Sequence, residues 1–371
     1  MNFVALFDIF GEPGTIALGA ALIGLVFGFA AERTQFCLRS AVIDVTGSAA
    51  GDGSVRWRRL ALWSVVFGAA IASTQWLVSS HAVDLQNVRQ FTSARSLSGV
   101  LIGGLVFGAG AVLTRGCISR LTVLSGTGNL RAVYALVVFT AVAFATFDGF
   151  LSPLRQQVLG LWTLGPDSTL NLLYANDLTA LSGVALGAAV AAVAGLAVLA
   201  LRLGIVTLAL GVVLGGTIAA GWWLTYTLSG QVFEPIAVES VSFTRPAIDA
   251  VSLGAGGFGA ELLTFGIGIL GGVPAGAFLA ALLAGGLKLQ WFDSLAHAGR
   301  FTTGAVLMGF GGVVAGGCSV GAGLTGGSLL ALTSLLAVAA MAAGMAVTDL
   351  ALARAARGGR GSGEVRPAPA E

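Results

Sequence analysis

Long apolar stretches alternate with short polar connectors along the whole chain. Several of these stretches reach about 18 residues, the length at which a helix can cross the hydrocarbon core of a bilayer. The predicted spans, in chain order, are Thr15–Ala31, Leu60–Val78, Leu97–Leu113, Ala132–Phe147, Leu178–Leu201, Leu203–Leu224, Phe258–Gly285, Phe301–Val314 and Ser328–Ala351. The pattern predicts an all-α polytopic membrane protein with about nine transmembrane helices.

Three of the spans are followed by a polar or glycine-rich break and then by a shorter apolar segment. Each break contains one of the three cysteines of the chain, Cys37, Cys117 and Cys318. The motif GLVFG begins thirteen positions before the first two cysteines, and a glycine stands nine positions before all three. The segments after the breaks are Phe36–Gly47, Cys117–Ser125 and Cys318–Gly327. They are too short to cross the bilayer, so we predict re-entrant short helices beside the cysteines.

A polar connector at 151–177 divides the chain into a first membrane half, 1–150, and a second half, 178–353. A degenerate fourth copy of the break is predicted at Gly211–Leu224, where Leu224 stands in the place of the cysteine. Two halves with matching broken helices are typical of transporters built from repeats, with the site at their interface. The mixed segment Thr225–Gly257 is either re-entrant or an extramembrane loop, and both alternatives stay open.

Composition and charge narrow the class further. The chain is 56% hydrophobic and 10% charged, with a mean hydropathy of +0.92, whereas soluble domains carry about 25% charged residues. A net charge of +2 gives no reason to expect a nucleic-acid partner, and lipid is the expected surrounding. The 56 glycines are expected to allow close helix packing and exposed backbone at the breaks.

Basic residues predict the orientation through the positive-inside rule. They are Arg56, Arg58 and Arg59 in one connector and Arg354, Arg357 and Arg360 near the end of the chain. We therefore expect a multi-pass protein of the inner (plasma) membrane with a cytoplasmic C-terminus. An odd number of spans then places the N-terminus outside. Residues 354–371 are expected to form a disordered cytoplasmic tail.

The residue inventory argues against several kinds of chemistry. Three cysteines without a CxxC spacing argue against a disulfide framework and against common zinc sites. The only histidines, His81 and His297, fall in predicted connectors, so a haem site on paired intramembrane histidines is not expected. No Walker A motif is present, so we expect no ATP hydrolysis by this chain. We predict a protein that is not an enzyme and has no cofactor or metal.

The breaks have the chemistry of an anion path. A helix N-terminus carries about half a positive charge and binds anions. Four arginines flank the first two cysteines: Arg33, Arg39, Arg115 and Arg120. They either add charge to the path, or reach the membrane surface or pair with Glu32 and Asp44. A thiol is a weak donor and a polarizable acceptor, which suits an anion that carries sulfur. We expect neutral thiols, because a thiolate would repel an anion.

The motifs RTQFCLRSA, TRGCISR and AGGCSVGAGLTGGS resemble the cysteine motifs of the YeeE/YedE sulfur-transport family, whose characterised members take up thiosulfate. The resemblance implies an hourglass-shaped fold with pseudo-symmetric halves and short helices pointing at the centre. It implies that the three cysteines guide thiosulfate inward by transient S–H···S hydrogen bonds. It also implies that Glu239, in the segment Phe233–Phe243, orders the site, and that a cytoplasmic sulfur-carrier or sulfurtransferase protein is a partner.

The predicted substrate-binding set is Cys37, Cys117, Cys318, Gly116, Gly317, Ser319, Arg115, Arg39 and Glu239. The small residues in this set are expected to leave room and to supply backbone donors. Two other functions stay open, a membrane thiol-disulfide oxidoreductase and a soft-metal permease. Within the permease hypothesis, selenium species, sulfite and sulfide are alternative substrates.

Overall fold

The computed structural model describes residues 4–47, 55–85, 88, 95–164, 171–232, 236–255 and 263–358. Within these residues, nine helical segments are long and apolar enough to cross a membrane. The extended structure in the same residues is a two-residue antiparallel ladder between β1 (Arg95–Ser96) and β2 (Thr163–Leu164). The prediction of an all-α polytopic membrane protein is therefore confirmed.

The helices of the first part of the chain are α1 (Val4–Thr34), α2 (Leu38–Thr46), α3 (Val55–Ser79), α4 (Leu97–Leu113), α5 (Ile118–Gly126), α6 (Leu130–Phe147) and α7 (Ser152–Gly160). The rest are a 3₁₀ turn (Tyr174–Asn176), α8 (Ala180–Ala200), α9 (Ile205–Ser229), α10 (Thr244–Ala255), α11 (Phe265–Leu283), α12 (Leu295–Val314), the π-helix π1 (Ser319–Gly326) and α13 (Leu332–Gly358).

Two predicted boundaries were wrong. His297 lies in the first turn of α12 and not in a connector, because the Ser294 hydroxyl caps the helix by accepting from the His297 amide at 3.2 Å. The predicted disordered tail begins inside α13, which extends to Gly358. Residues 359–371, including Arg360, lie outside the described part of the chain.

The three predicted interruptions are real and share one backbone geometry. Two residues before each cysteine the chain adopts a positive φ, 53° at Gln35, 58° at Arg115 and 80° at Gly316. The next amide of the first and third copies bonds back five residues, from Phe36 to Ala31 and from Gly317 to Gly312. This is the Schellman pattern that ends a helix, and it turns the chain so that the cysteine starts the next one.

A fourth short helix exists, but the predicted position was wrong. Leu224 lies inside α9, which continues to Ser229 because no charged residue or proline interrupts the helix. The fourth short helix is α10, and Phe243 precedes it as the cysteines precede the other three. Pro246 lies in its first turn, where proline is well tolerated. Because Phe243 and Ala247 are buried, the re-entrant alternative for this segment is favoured over an extramembrane loop.

The helix contacts repeat when the two halves are exchanged. α1 packs on α11 and α9 on α3, while α4 packs on α13 and α12 on α6. The short helices follow the same scheme, with α5 on α11 and π1 on α3, and with α10 on α6 and α2 on α13. The equivalent helices α4 and α12 run antiparallel, because Gly103 approaches Ala315 whereas Gly110 approaches Gly304. This is the contact pattern of an inverted repeat.

Among the membrane-spanning helices of the described residues, α8 has no counterpart in this scheme. α8 packs mainly on α3 and adds one crossing between the halves, which reverses the direction of the second half. The domain boundaries at 150, 178 and 353 and the hourglass outline stay predictions.

Glycine allows the closest of these helix contacts. α1 and α11 run side by side in the same direction, with Ala17, Ala21 and Leu25 facing three glycines spaced four apart on α11. A Cβ at the third of these, Gly276, would overlap the carbonyl of Leu25. The backbones therefore touch directly, which is the packing that small residues permit in membrane helices.

Candidate functional site

The three cysteines lie at the N-caps of α2, α5 and π1, as predicted. All three have extended backbones and free thiols, and their exposed fractions are 6% for Cys37, 1% for Cys117 and 0% for Cys318. None of them faces the surrounding lipid. The interruptions thus place three thiols inside the protein, each at the amide end of a short helix.

Two of the thiols are neighbours. The Cys37 and Cys117 side chains are close enough to share a hydrogen bond. Cys117 Sγ lies 3.1 Å from Ser119 Oγ, and the Ser319 hydroxyl is also within hydrogen-bonding reach of this thiol. Since Ser319 is the first residue of π1, the contact joins the third cysteine motif to the first two.

Cys318 has a different partner. Its Sγ accepts a hydrogen bond from the Gly321 amide at 3.3 Å, so this thiol caps π1 directly. The arrangement brings together four of the nine predicted site residues, the cysteines and Ser319. These residues lie at the starts of α2, α5 and π1.

The two predicted glycines are both buried, and the amide of one of them is already used. Gly317 is buried and its amide bonds to the Gly312 carbonyl at 2.9 Å, so it is committed to the cap of α12. A Cβ there would come within 3.1 Å of the Ala322 amide nitrogen. Gly116 is buried as well, and its carbonyl accepts from the Thr114 hydroxyl at 2.8 Å. The expectation that Gly317 offers a backbone donor was therefore wrong.

The flanking arginines divide between the two roles that the sequence left open. Arg120 pairs with Glu32 at 2.9 Å, and both side chains are largely buried. Asp44 pairs with Arg59 at 3.1 Å, a partner that the sequence did not suggest. Arg33 and Arg115 are exposed. Arg39 is half-buried beside Cys37 and within electrostatic range of Asp44, whose ion pair is with Arg59.

The Arg120–Glu32 pair yields a stability prediction. Replacing Glu32 with glutamine leaves a mostly buried guanidinium without its counter-charge, and we expect a loss of about 1–3 kcal/mol of stability. The double variant Glu32→Gln/Arg120→Gln removes both charges and should cost less than the single change. Thermal unfolding of the purified variants in one detergent measures both. Equal melting temperatures for the single variant and the parent would show that the pair is solvated.

Glu239 lies in a pocket beside π1. The pocket is lined by Glu239, Ser242, Arg245, Gly316, Gly321 and Ser334, among others. Thr225 fixes the loop, because its hydroxyl donates to the Glu239 carbonyl at 2.7 Å and accepts from the Glu239 amide at 3.2 Å. Glu239 therefore shares a pocket with Gly316 and Gly321, which flank Cys318 in the chain.

Several polar residues at this site were missed by the sequence reasoning. Ser242 and Arg245 fall in the mixed segment Thr225–Gly257, for which the sequence left a re-entrant and an extramembrane placement open. Arg300 and Asp349 lie near Arg39 and were not singled out. Asp349 is the one acidic residue of α13, and ionisable residues inside membrane spans are usually functional, so this signal was available.

The part of the chain that contains the cysteine motifs is also the part that matches known proteins. The family model described as sulphur transport matches residues 33–347, which include all three cysteine motifs. The thiosulfate transporter TsuA of Spirochaeta thermophila is 30% identical over 271 residues, which are 65% of this chain and 74% of that protein. The chain, with its three interrupted helices and their cysteines, belongs to the sulphur-transport family.

Proposed function

We propose that the chain is a permease that takes up thiosulfate, or a related sulfur-containing anion, along a path lined by its three thiols. The observation that carries the proposal is the convergence of three buried, free thiols at the amide ends of three short helices. Membership in a sulphur-transport family and similarity to a thiosulfate transporter support the substrate class. The family and the relative are transporters, which argues against an enzyme.

Thiosulfate matches the two kinds of group at these breaks. It is a dianion, and helix N-termini attract negative charge through their backbone amides. They do so without a charged side chain, which would bind the anion more tightly. Its terminal sulfur is soft, and a neutral thiol offers it a weak S–H donor and a polarizable neighbour. Weak, repeated contacts suit transport, because a site must release its ion as well as bind it.

We propose the order of contacts along the path from their positions. The anion enters at the pocket beside Glu239, passes Cys318 and Ser319, and then reaches Cys117 and Cys37. It leaves near Arg39 and Arg115, on the face that also carries the basic start of α3 and the end of α13. The positive-inside rule makes this the cytoplasmic face of the inner membrane. Delivery to a cytoplasmic sulfur-carrier or sulfurtransferase protein would then draw the anion inward.

A growth experiment tests the proposal. A bacterial strain without its own thiosulfate and sulfate importers should grow on thiosulfate as sole sulfur source only when it expresses the parent chain. Growth on cysteine in the same strain controls for toxicity of the membrane protein. Absence of rescue, with the protein present in the membrane fraction, would contradict the proposal.

The contact between Cys37 and Cys117 keeps a second function open, that of a membrane thiol-disulfide oxidoreductase. Two thiols within hydrogen-bonding reach could exchange with a disulfide, although redox enzymes usually present a CxxC pair. Mass spectrometry of protein alkylated in membranes without reductant distinguishes the two functions. A permease predicts free thiols under transport conditions, whereas an obligatory Cys37–Cys117 disulfide during turnover would favour the oxidoreductase.

A further inference from the structure

Three arginines from three separate helices meet at the end of the thiol path. Arg39 belongs to α2, Arg115 follows α4, and Arg300 lies in the second turn of α12. Each of the three is within electrostatic range of the other two, and Arg39 is also within range of Cys37. The sequence separations are large, so the fold itself builds this cluster.

The positive charge of the cluster is only partly balanced by the described residues. Asp349 is the carboxylate near Arg39, and it also accepts a hydrogen bond from Thr46 at 3.2 Å. The neighbouring acid, Asp44, is already paired with Arg59. Asp44 is nevertheless within electrostatic range of Arg39 as well. Asp349 and the already paired Asp44 are thus the carboxylates that act on Arg39, while the three guanidinium groups repel one another.

The donors of the cluster are also incompletely used. Within the described chain, Nε of Arg39 and Nε of Arg300 are buried without a hydrogen-bond partner. One Nη of Arg300 reaches the Val112 carbonyl only at 3.5 Å, the outer limit for such a bond. A structural role at the end of α4 would explain one arginine there, but it does not explain three, two of which have a buried donor left over.

We propose that Arg39, Arg115 and Arg300 form a second anion site that binds the oxygen atoms of a tetrahedral sulfur oxyanion at the exit of the path. Guanidinium groups present planar pairs of donors that match oxyanions, whereas thiols match a terminal sulfur. This inference rests on the proposed function, because it assigns the release step to the arginines. It differs from the thiol sites in its chemistry, since the cluster recognises oxygen and charge alone.

Sulfate tests the site independently of transport, because it has the oxygens of the oxyanion but no terminal sulfur. Equilibrium binding of radiolabelled sulfate is measured on the purified full-length protein at low ionic strength. We expect the parent to bind sulfate and unlabelled thiosulfate to displace it. Arg300→Gln and Arg39→Gln should each weaken sulfate binding by about tenfold or more, the effect of losing one charged hydrogen-bond partner.

Matched variants separate this effect from misfolding and from general charge. Arg354→Gln removes an exposed arginine from α13 and should bind sulfate like the parent. Arg300→Lys keeps the charge but not the planar pair of donors, and it should bind with an intermediate affinity.

The outcomes distinguish this site from the proposed function. No sulfate binding by the parent, or equal binding by the parent and both glutamine variants, would overturn the site even if thiosulfate uptake is normal. The opposite result is also possible to recognise. If both glutamine variants lose sulfate binding while the parent binds sulfate but fails to take up thiosulfate, the site stands and the transport proposal is contradicted.

Discussion

Alanine at Cys117 is expected to reduce thiosulfate uptake to about one tenth of the parent rate or less. Cys117 is the thiol on which the contacts converge, because it meets the Cys37 thiol and the Ser119 and Ser319 hydroxyls. A hydrogen bond to a charged partner contributes about 1.5–3 kcal/mol, which corresponds to about 10–100-fold in rate or affinity when it is lost. Uptake of labelled thiosulfate into membrane vesicles measures the change.

The control for this variant lies on the same short helix. Ser125→Ala removes a hydroxyl near the end of α5 that donates to the Thr122 carbonyl and contacts none of the thiols. It should transport like the parent when the amounts in the membrane are matched. If Cys117→Ala also transports like the parent, the thiol path is the wrong description of the site.

Valine at Gly276 is expected to prevent α1 and α11 from packing and to cause the largest loss of stability among the variants considered. A Cβ at this position would overlap the backbone carbonyl of Leu25, which no side-chain rotation can relieve. Overpacked substitutions usually cost about 1–3 kcal/mol, and more where backbone has to move. The expected result is a lower melting temperature and less monodisperse protein on size-exclusion chromatography.

The same substitution at Gly271 is a matched control. Gly271 belongs to the same helix, is exposed, and has open space where its Cβ would be. Helix propensity changes equally in the two variants, so the difference between them isolates the contact with α1. A melting temperature that falls equally in both would show that the close approach of α1 and α11 is not what the glycine provides.

The sequence was most informative where a local pattern repeats. The spans follow from apolar length, and the three breaks follow from the fixed offset between GLVFG or glycine and cysteine. These features depend on neighbouring residues only. Even the positive φ two residues before each cysteine is shared, although Gln35, Arg115 and Gly316 have unlike side chains.

The fourth short helix shows where a repeat search fails. Phe243 occupies the position that cysteine holds in the other copies, and it packs against Phe27 with a ring separation of 5.8 Å. Without the cysteine, the strongest remaining signal was a glycine spacing in a glycine-rich chain, and it led to a point inside α9. The first-turn Pro246 was the more specific marker of the helix start.

Contacts between distant residues were beyond sequence reasoning altogether. The pairing of Asp44 with Arg59, and the meeting of Arg39 with Arg300, depend on how α2, α3, α12 and α13 pack. The same holds for the contact between Cys37 and Cys117, because two breaks could lie at different depths and never meet. Side-chain roles at the exit of the path therefore required the three-dimensional arrangement.

The central claim is that the thiols recognise the terminal sulfur of the substrate, and the preference for thiosulfate over sulfate tests it most directly. Uptake of both labelled anions is compared in vesicles with the parent and with a variant carrying alanine at Cys37, Cys117 and Cys318. We predict that the parent prefers thiosulfate by about tenfold or more, and that the preference disappears in the variant. An unchanged preference in a variant that still transports would contradict the account.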